Sequence, residues 1–512
     1  MQQQYQHQQY HQQHQQHQQQ YDVIVVGGGP AGLTFAQRAL AANKSVLLLE
    51  AHSALGGCHR VERVQENFFT EHGPRVYSSA YRTFKDILQD IGLDFHALFT
   101  RYDIQISNIG GRTLRSMHMY ELIPFVYAFF LLIFNPDYGS DMTMEDFARQ
   151  YRFSQGTKEY IDRLCRMTDG ASISRYTLNE FLNLMNQQSL YSLYQPKEPN
   201  DTGLFRLWMS ALRQRGLHLK LQTPVTHIAR RSGSTGLMVN GKYTAKQVIL
   251  ALPPQSLVKL LQSIPDPYIK NNFGDVSRLS QWASQTEYIQ YIPITFHWVG
   301  KKLQLPKIWG FPASDWGVAF IVLSDYFEDD HQNTTLISAA ITYQHRISSA
   351  LGKTAAQCSR SELISETFRQ LCESYPRGTD IPPPTKSIIS PDVHYSTEES
   401  EYRNINNAYL FRGRHSTLPP FGIYVPNLFT LGTHNNENKY RFTSLESAVQ
   451  NAVYLSNELY YYPPHNHNMG MMMVKGPIML TDILFPILCA LCVILIMMIF
   501  FINFKVKVSI SV

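Results

Sequence analysis

Three glycines near the start of the chain have the spacing of a phosphate-binding turn. Gly27, Gly29 and Gly32 follow the apolar run at residues 22–26, and a helical pattern begins at Pro30. In such a turn the first glycine permits the tight bend, the second lets the backbone approach a diphosphate, and the third lets helix and strand pack closely. The free N–H groups at the helix start favour negative charge. We therefore predict that the turn, including Pro30 and Ala31, binds a dinucleotide.

An acidic residue in the right place supports this interpretation. Residues 45–49 predict a second buried strand, and Glu50 ends it 18 residues after Gly32. A carboxylate at this place can accept a hydrogen bond from a ribose hydroxyl. The glycine spacing thus stands in the strand–helix–strand context that it requires. This unit alone does not decide between FAD and NAD.

Five later segments resemble, in order, motifs of the flavin amine oxidase, phytoene desaturase and protoporphyrinogen oxidase superfamily. They are residues 55–57 (LGG), 70–75 (TEHGPR), 248–253 (VILALP), 427–432 (NLFTLG) and 444–449 (SLESAV). The resemblance extends over residues 21–460 and implies FAD as the cofactor. Covalent attachment would need a cysteine in the C-terminal flavin region, and none occurs between Cys372 and Cys489. We therefore expect noncovalent FAD.

The resemblance also assigns residues to the cofactor beyond the glycine turn and Glu50. These positions are Gly56, Gly57, Gly73, Pro74, Arg75, Val225, Gly432 and Leu445. Val225 falls where the family's backbone contacts adenine. Leu445 would begin a helix, capped by Thr443 or Ser444, whose N-terminus stabilises negative charge on reduced flavin.

Two side chains are candidate catalytic groups. Arg75 and His434 are expected near the flavin ring, where each could tune flavin charge or orient substrate. Each could equally be structural, Arg75 in a salt bridge and His434 as a hydrogen-bonding loop residue. Hydride transfer to flavin depends more on positioning than on a dedicated acid or base. The predicted activity is hydride transfer from an organic substrate to FAD.

Several departures from the family pattern concern the flavin and the substrate. No lysine occurs between Lys270 and Lys301, where amine oxidases usually carry one on a substrate-domain strand, and Ser444 stands where monoamine oxidases have a cage tyrosine. Both departures favour an apolar, desaturase-like substrate, although an amine remains open, as does oxygen or another electron acceptor. Arg60 is a candidate replacement for an arginine missing beside the Gly-Gly pair. The alternatives are a catalytically degenerate flavin-binding protein and a membrane-tethered interaction protein.

Two apolar runs raise the question of a membrane. Residues 483–502 contain no charged residue, and their length matches the hydrocarbon core of a bilayer. We predict a single-pass tail anchor with the catalytic portion in the cytosol, in the mitochondrial outer membrane, the endoplasmic reticulum or a viral membrane. Residues 122–134 are too short to span, and we predict that they belong to the substrate-domain core. The alternative is a helix that dips into one leaflet.

Composition sets outer limits on function. The 512 residues carry a formal charge of +5 without a long basic block, so nothing indicates a nucleic-acid partner. Six cysteines without metal-ligand spacing indicate no metal site and fit a reducing compartment. Residues 1–20 are almost entirely Gln and His, and they are predicted to be disordered.

The sequence as a whole predicts an α/β fold. It combines a Rossmann-type FAD-binding domain (GR2-like) that is discontinuous in sequence, an α+β substrate domain and a C-terminal transmembrane helix. The predicted segments are 1–20, a disordered tail; 21–84, 205–264 and 416–460, the FAD-binding domain; 85–204 and 265–415, the substrate domain, helical in its first part; 461–482, a linker; and 483–502, the transmembrane helix.

Overall fold

The computed structural model describes residues 19–483 and Pro486 with internal gaps. The gaps are residues 66–67, 72, 103–104, 107–117, 232, 234, 289–290, 311–312, 324–325, 327–332, 405–408, 411–416, 441–442 and 462–470. The strands are β1 Gln19–Val26, β2 Val46–Leu49, β3 Val61–Gln65, β4 Phe68–Glu71, β5 Tyr77–Ser78, β6 Phe99–Arg101, β7 Gln105–Ile106, β8 Leu193–Pro196, β9 His218–Lys220, β10 Ile228–Arg230, β11 Leu237–Val239, β12 Tyr243–Leu250, β13 Glu287–Tyr288, β14 Ile292–Trp298, β15 Ile308–Trp309, β16 Val318–Val322, β17 Thr335–Ile341, β18 Lys386–Ile389, β19 Val393–Ser396, β20 Glu401–Asn404, β21 Tyr409–Leu410 and β22 Leu428–Thr430. The α-helices are α1 Pro30–Ala41, α2 Arg82–Asp90, α3 Phe95–Leu98, α4 Ile123–Phe134, α5 Met144–Gln150, α6 Gln155–Asp169, α7 Leu178–Leu190, α8 Leu204–Gln214, α9 Pro254–Ser263, α10 Pro267–Lys270, α11 Val276–Gln285, α12 Arg360–Glu373 and α13 Leu445–Tyr460.

The largest sheet has the order β10-β11-β12-β1-β2-β9, with β22 beside the second half of β12. β1 runs parallel to β12 and β2, and β9 and β22 continue the parallel arrangement. β10 and β11 form an antiparallel hairpin at one edge. Because both faces of this sheet are buried, β1 and β2 read as continuous apolar runs rather than alternating ones. β1 begins at Gln19, two residues before the predicted boundary, and pairs there with Tyr243.

Helices cover both faces of this sheet. Val23 and Val25 of β1 face a cluster that contains α1, α8 and α13, whereas Ile24 and Val26 face α9 and α11. Because successive side chains of a strand point to opposite faces, one five-residue run supplies both cores. The sheet is therefore the middle layer of three.

Two further units lie outside the large sheet. An antiparallel sheet of order β16-β17-β14-β18 packs against α12 through a third apolar core. Helices α4 to α7 surround a fourth core that includes Phe147, Tyr176 and Leu182. The helical character that the sequence predicts between residues 85 and 204 is thus present.

The shorter apolar run forms α4, and its environment differs from the prediction. Ala128 and Leu132 are buried as expected of a core helix. The prediction is wrong for the opposite face, where Ile123 and Val126 are 65% and 68% exposed. A helix that is apolar all round cannot reveal from its sequence which side the rest of the fold covers.

The longer apolar run lies almost entirely outside the described residues, which include only Ile483 and Pro486 of the predicted span 483–502. Within the described part of the chain, no helix combines the length and the apolar character needed to cross a membrane.

A buried carboxylate ties the last helix to the second. Glu446, in the first turn of α13, is fully buried. Its two oxygens accept hydrogen bonds from the backbone N–H groups of Thr83 and Phe84, at 2.8 and 2.9 Å. These groups begin α2 and have no partner within that helix. Glu446 thus caps α2 from a distance of more than 360 residues in sequence.

We expect Glu446→Ala to lower the free energy of unfolding by about 3 kcal/mol, because two buried N–H groups lose their acceptor. Glu446→Gln keeps one acceptor oxygen and should cost less. Chemical unfolding of both variants measures the difference. An alanine variant as stable as the glutamine variant would contradict this role of the carboxylate.

Candidate functional site

The glycine turn brings three backbone segments into close contact. Gly27 has a φ of +106°, and a Cβ on it would lie 2.3 Å from the carbonyl oxygen of Ala251, which follows β12. A Cβ on Gly32 would lie 2.0 Å from the carbonyl oxygen of Gly27. Neither position can accept a side chain without moving backbone. The two glycines therefore set the separation of β1, β12 and α1.

Gly29 differs from these two because it leaves space. Its φ of −77° suits any residue, and a Cβ there would meet only the backbone of Gly57, at 3.6 Å. Gly29 also precedes the first turn of α1, whose start has no side-chain cap. Gly57 holds its place because the N–H of Gly56 donates to the carbonyl of Gly28 at 2.9 Å. Open space between two glycines at an uncapped helix start fits a diphosphate.

Glu50 stands at the edge of the same turn. One of its oxygens accepts from the N–H of Gly28 at 2.6 Å, and the other accepts from the N–H of His52 at 2.9 Å. The N–H of Thr223 donates to the carbonyl of Glu50 at 2.8 Å, which brings the loop that contains Val225 alongside. The structure thus puts the predicted ribose acceptor and the predicted adenine contact next to each other.

The C-terminal motif reaches this region through α13, which packs along α1. Ser444 caps α13, with its hydroxyl accepting from the N–H of Ser447 at 3.1 Å, and Leu445 is the first helical residue as predicted. The side-chain amide of Asn451 donates to the carbonyl of Gly432 at 2.8 Å. Gly432 is thereby fixed beside the helix.

An unsatisfied hydroxyl next to Gly432 supports a bound group. The side-chain oxygen of Thr433 is buried and has no hydrogen-bond partner within the described chain. Buried polar groups in native proteins are rarely left without one. A polar cofactor held between Gly57 and Gly432 would supply it, so the residues present fit FAD.

Arg75 connects the 70–75 turn with the Gly-Gly element. Its guanidinium donates to the carbonyl of Cys58, just after Gly57. Gly73 faces the ring of Tyr291, which a Cβ on Gly73 would approach to 3.3 Å. Pro74 stands between Gly73 and Arg75 in the chain. His72 of this turn lies outside the described residues. The structural alternative for Arg75 was a salt bridge, but among the described residues its guanidinium forms no ion pair and donates to a backbone carbonyl instead.

Glu71 is a site residue that the sequence reasoning missed. Its carboxyl group is fully buried, and one oxygen accepts from the hydroxyl of Tyr326 at 3.1 Å. The other oxygen has no partner in the described chain. Burial raises the pKa of Glu71 to about 7, although the nearby Arg75 acts to lower it. The sequence signal that could have identified Glu71 was an acidic residue close behind the apolar pair Phe68 and Phe69.

The strand without lysine lies against this turn. The hydroxyls of Thr295 on β14 and Thr70 are 3.0 Å apart. His297, also on β14, has a ring nitrogen 2.9 Å from the carbonyl of Phe69, and burial lowers its pKa to about 4. β14 is buried along its whole length. The side chains that it presents to β4 are therefore neutral at pH 7.

His434 is buried and packed against other side chains. It is 1% exposed, its Nε2 lies 3.0 Å from the hydroxyl of Thr430, and its ring meets Trp282 edge to face at 5.7 Å. Burial lowers the pKa of His434 to about 3, so the ring is neutral. This geometry favours the structural alternative. Its catalytic role stays a prediction.

Arg60 is the candidate replacement for the missing flanking arginine. Its guanidinium pairs with Glu62 and lies 3.4 Å from Asp392. Its role toward the cofactor stays a prediction. Within the described residues, no group of three or more His, Cys, Asp or Glu side chains could hold a metal ion.

Comparison with known proteins places the chain in a family. The profile of the flavin-containing amine oxidoreductases matches residues 30–452, and the chain belongs to that family. It is accordingly an FAD-dependent oxidoreductase. No curated protein sequence matches it significantly.

Solved structures agree on the fold. Cyclohexylamine oxidase from Brevibacterium oxydans is 13% identical with a TM-score of 0.56, covering 86% of this chain and 99% of that one. Putrescine oxidase bound to putrescine is 15% identical with a TM-score of 0.55, with coverage of 86% and 99%. An oxidoreductase from Methanosarcina mazei is 11% identical with a TM-score of 0.54, with coverage of 85% and 99%. At these identities the likeness concerns the mixed α/β fold alone.

Two glycine variants should separate cofactor binding from folding. In Gly29→Ala the added methyl group fills the space between Gly29 and Gly57 but meets nothing closer than 3.6 Å. We expect this variant to fold and to lose FAD. Gly32→Ala puts a methyl group 2.0 Å from a carbonyl oxygen, so we expect it to lose both folding and FAD. Flavin absorbance and thermal unfolding measure the two properties, and normal FAD content in Gly29→Ala would contradict the assignment.

Glu71 should make stability depend on pH. Its pKa is raised to about 7 in the folded protein. Its stabilising contribution is therefore fully present below the unfolded pKa, about 4.3, and is lost as pH rises through about 7. Glu71→Gln removes this titration. Between pH 5 and pH 8 the stability of the native protein relative to the variant should fall, by roughly 3 kcal/mol at most.

Chemical unfolding at several pH values measures this difference, with Glu458→Gln on the exposed side of α13 as the control. The control should show no comparable change. A constant difference between native protein and Glu71→Gln would mean that Glu71 does not titrate in this range.

Proposed function

We propose that this protein transfers a hydride from an apolar organic substrate to noncovalently bound FAD. The observation that carries the proposal concerns three segments: the Gly27–Gly32 turn faces the Gly56–Gly57 pair, and Gly432 follows a strand of the same parallel sheet and is held by α13. FAD, when bound, supplies the hydride acceptor. The protein positions the substrate and tunes the cofactor's surroundings.

The cofactor domain in this proposal is of the Rossmann type and discontinuous, formed by residues 21–84, 205–264 and 416–460. The parallel order β12-β1-β2 with α1 as a crossover supports this assignment. The absence of cysteine between Cys372 and Cys489 supports noncovalent attachment. Residues 85–204 and 265–415 form the substrate domain.

The preference for an apolar substrate rests on β14 and on Ser444. β14 is buried, contains no lysine, and contacts the 70–75 turn through the pair Thr295 and Thr70. Ser444 is engaged in capping α13 and offers no aromatic wall. An aromatic cage helps to bind an ammonium group. Arg75 would act here as a positioning residue, since it holds the 70–75 turn against Cys58.

An amine is the second candidate substrate. The family is defined by flavin-containing amine oxidoreductases, and two structural neighbours are oxidases of cyclohexylamine and putrescine. Oxygen or another compound would then reoxidise the flavin.

Attachment to a membrane is the second part of the proposal. Residues 483–502 are uncharged and long enough to cross a bilayer. The proposed anchor is single-pass, with the catalytic portion in the cytosol. The mitochondrial outer membrane, the endoplasmic reticulum and a viral membrane are all compatible.

Anaerobic reduction of the purified protein tests the reaction. We expect a yellow protein whose flavin absorbance bleaches with an apolar donor that carries an oxidisable C–C or C–N bond, and more slowly with simple primary amines. Faster bleaching by amines would make an amine, and not an apolar compound, the preferred substrate. Bleaching by neither class, or a colourless protein that takes up no FAD, would contradict the proposal. Gly29→Ala serves as the control without flavin.

A further inference from the structure

One face of α4 is apolar and exposed. Ile123, Val126, Tyr127, Phe130 and Phe134 are 65, 68, 51, 45 and 67% exposed. Their spacing of three and four residues puts them on one side of the helix, and we call them the α4 face. α4 contains no charged residue. A contiguous exposed apolar surface of this kind marks a contact site in a folded protein.

The helix itself is firmly held. On the side opposite the α4 face, Phe125 packs against Phe181 of α7 with ring centroids 5.6 Å apart. Before α4 begins, the buried carboxylate of Glu121 accepts from the backbone N–H of Ser154 at the start of α6. The exposure of the α4 face is therefore fixed by the packing of its other side.

The chain that leads to the predicted membrane span is attached to the same helical unit. Asn186 of α7 donates to the carbonyl of Ile478 at 3.1 Å and accepts from the N–H of Leu480 at 2.6 Å. Phe181 and Asn186 are five residues apart on α7, a rise of about 7.5 Å. The three residues from Leu480 to Ile483 reach at most about 10 Å. The uncharged segment thus begins close to the unit that carries the α4 face.

We propose that the α4 face lies on the surface of a lipid bilayer, the same bilayer into which residues 483–502 insert. This inference rests on the proposed anchor. An apolar helix face without charge suits the boundary between headgroups and acyl chains, and Tyr120 and Tyr127 supply the aromatic groups favoured there. The protein would then contact the membrane at two places, one spanning and one interfacial.

The chain's own C-terminal segment is a poorer occupant of the α4 face. As a helix, residues 483–502 would be about 30 Å long, whereas the twelve residues of α4 extend about 18 Å. The segment is also apolar on all sides. If residues 483–502 packed on α4, most of their apolar surface would stay in water. A bilayer would cover both these residues and the α4 face.

Photocrosslinking of the full-length protein in vesicles tests the contact. p-Benzoylphenylalanine replaces Val126 or Phe130, and for the control it replaces Ile347, which is 64% exposed but stands among polar neighbours. After reconstitution in phosphatidylcholine and phosphatidylserine vesicles and irradiation, mass spectrometry identifies the adducts. We expect lipid adducts at positions 126 and 130 at least about tenfold above those at 347.

Flotation of the unmodified protein after carbonate extraction tests the anchor separately. A protein that floats but forms no lipid adduct at 126 or 130 overturns the interfacial contact and leaves the anchor intact. Crosslinks to residues 483–502 or to a second copy of the chain also overturn it. A protein that does not float removes the anchor and this inference with it. Unchanged flavin absorbance and melting temperature show that the substituted proteins are folded.

Discussion

The close approach of backbone at Gly27 and Gly32 is the constraint on which the rest of the structure depends. Gly27 lies against the carbonyl of Ala251, and Gly32 lies against the carbonyl of Gly27, at distances that exclude any side chain. This contact fixes α1 on the sheet with its N-terminus uncapped. α13 then packs on α1 and brings Leu445 to the same region. The glycine turn and the start of α13, more than 400 residues apart in the sequence, are therefore brought into one region of the fold by the packing of α13 on α1.

Two buried carboxyl groups serve this arrangement differently. Glu446 joins α13 to α2 by accepting two backbone N–H groups, so its role is to hold elements together. Glu71 has one oxygen bonded to Tyr326 and one without a partner in the described chain, next to Arg75. Burial raises the pKa of both to about 7. At neutral pH Glu71 is therefore about half ionised, beside the guanidinium of Arg75.

The parts of the fold governed by local pattern were predictable from the sequence. The apolar run before Gly27, the glycine spacing, Glu50 and the helix from Leu445 each depend on residues that are close together in the chain. Roles that depend on partners distant in the chain could not be predicted from the sequence. The bond of Arg75 to Cys58 and the contact of His434 with Trp282 need tertiary structure to be seen.

The burial of α4 likewise depends on tertiary structure that the sequence pattern does not show. Its sequence predicts a helix and a buried location, but burial of only one side follows from where α7 lies. Likewise β12 begins at Tyr243, five residues before the motif at residues 248–253, because pairing with β1 extends through polar positions such as Thr244 that periodicity does not mark.

The central claim is that three distant segments form a single FAD site. Hydrogen–deuterium exchange with and without saturating FAD tests it most directly. We predict that FAD slows amide exchange together at residues 27–32, 56–58 and 445–448, while α12 is unchanged. Protection at the glycine turn alone, or at none of the three, would contradict the account.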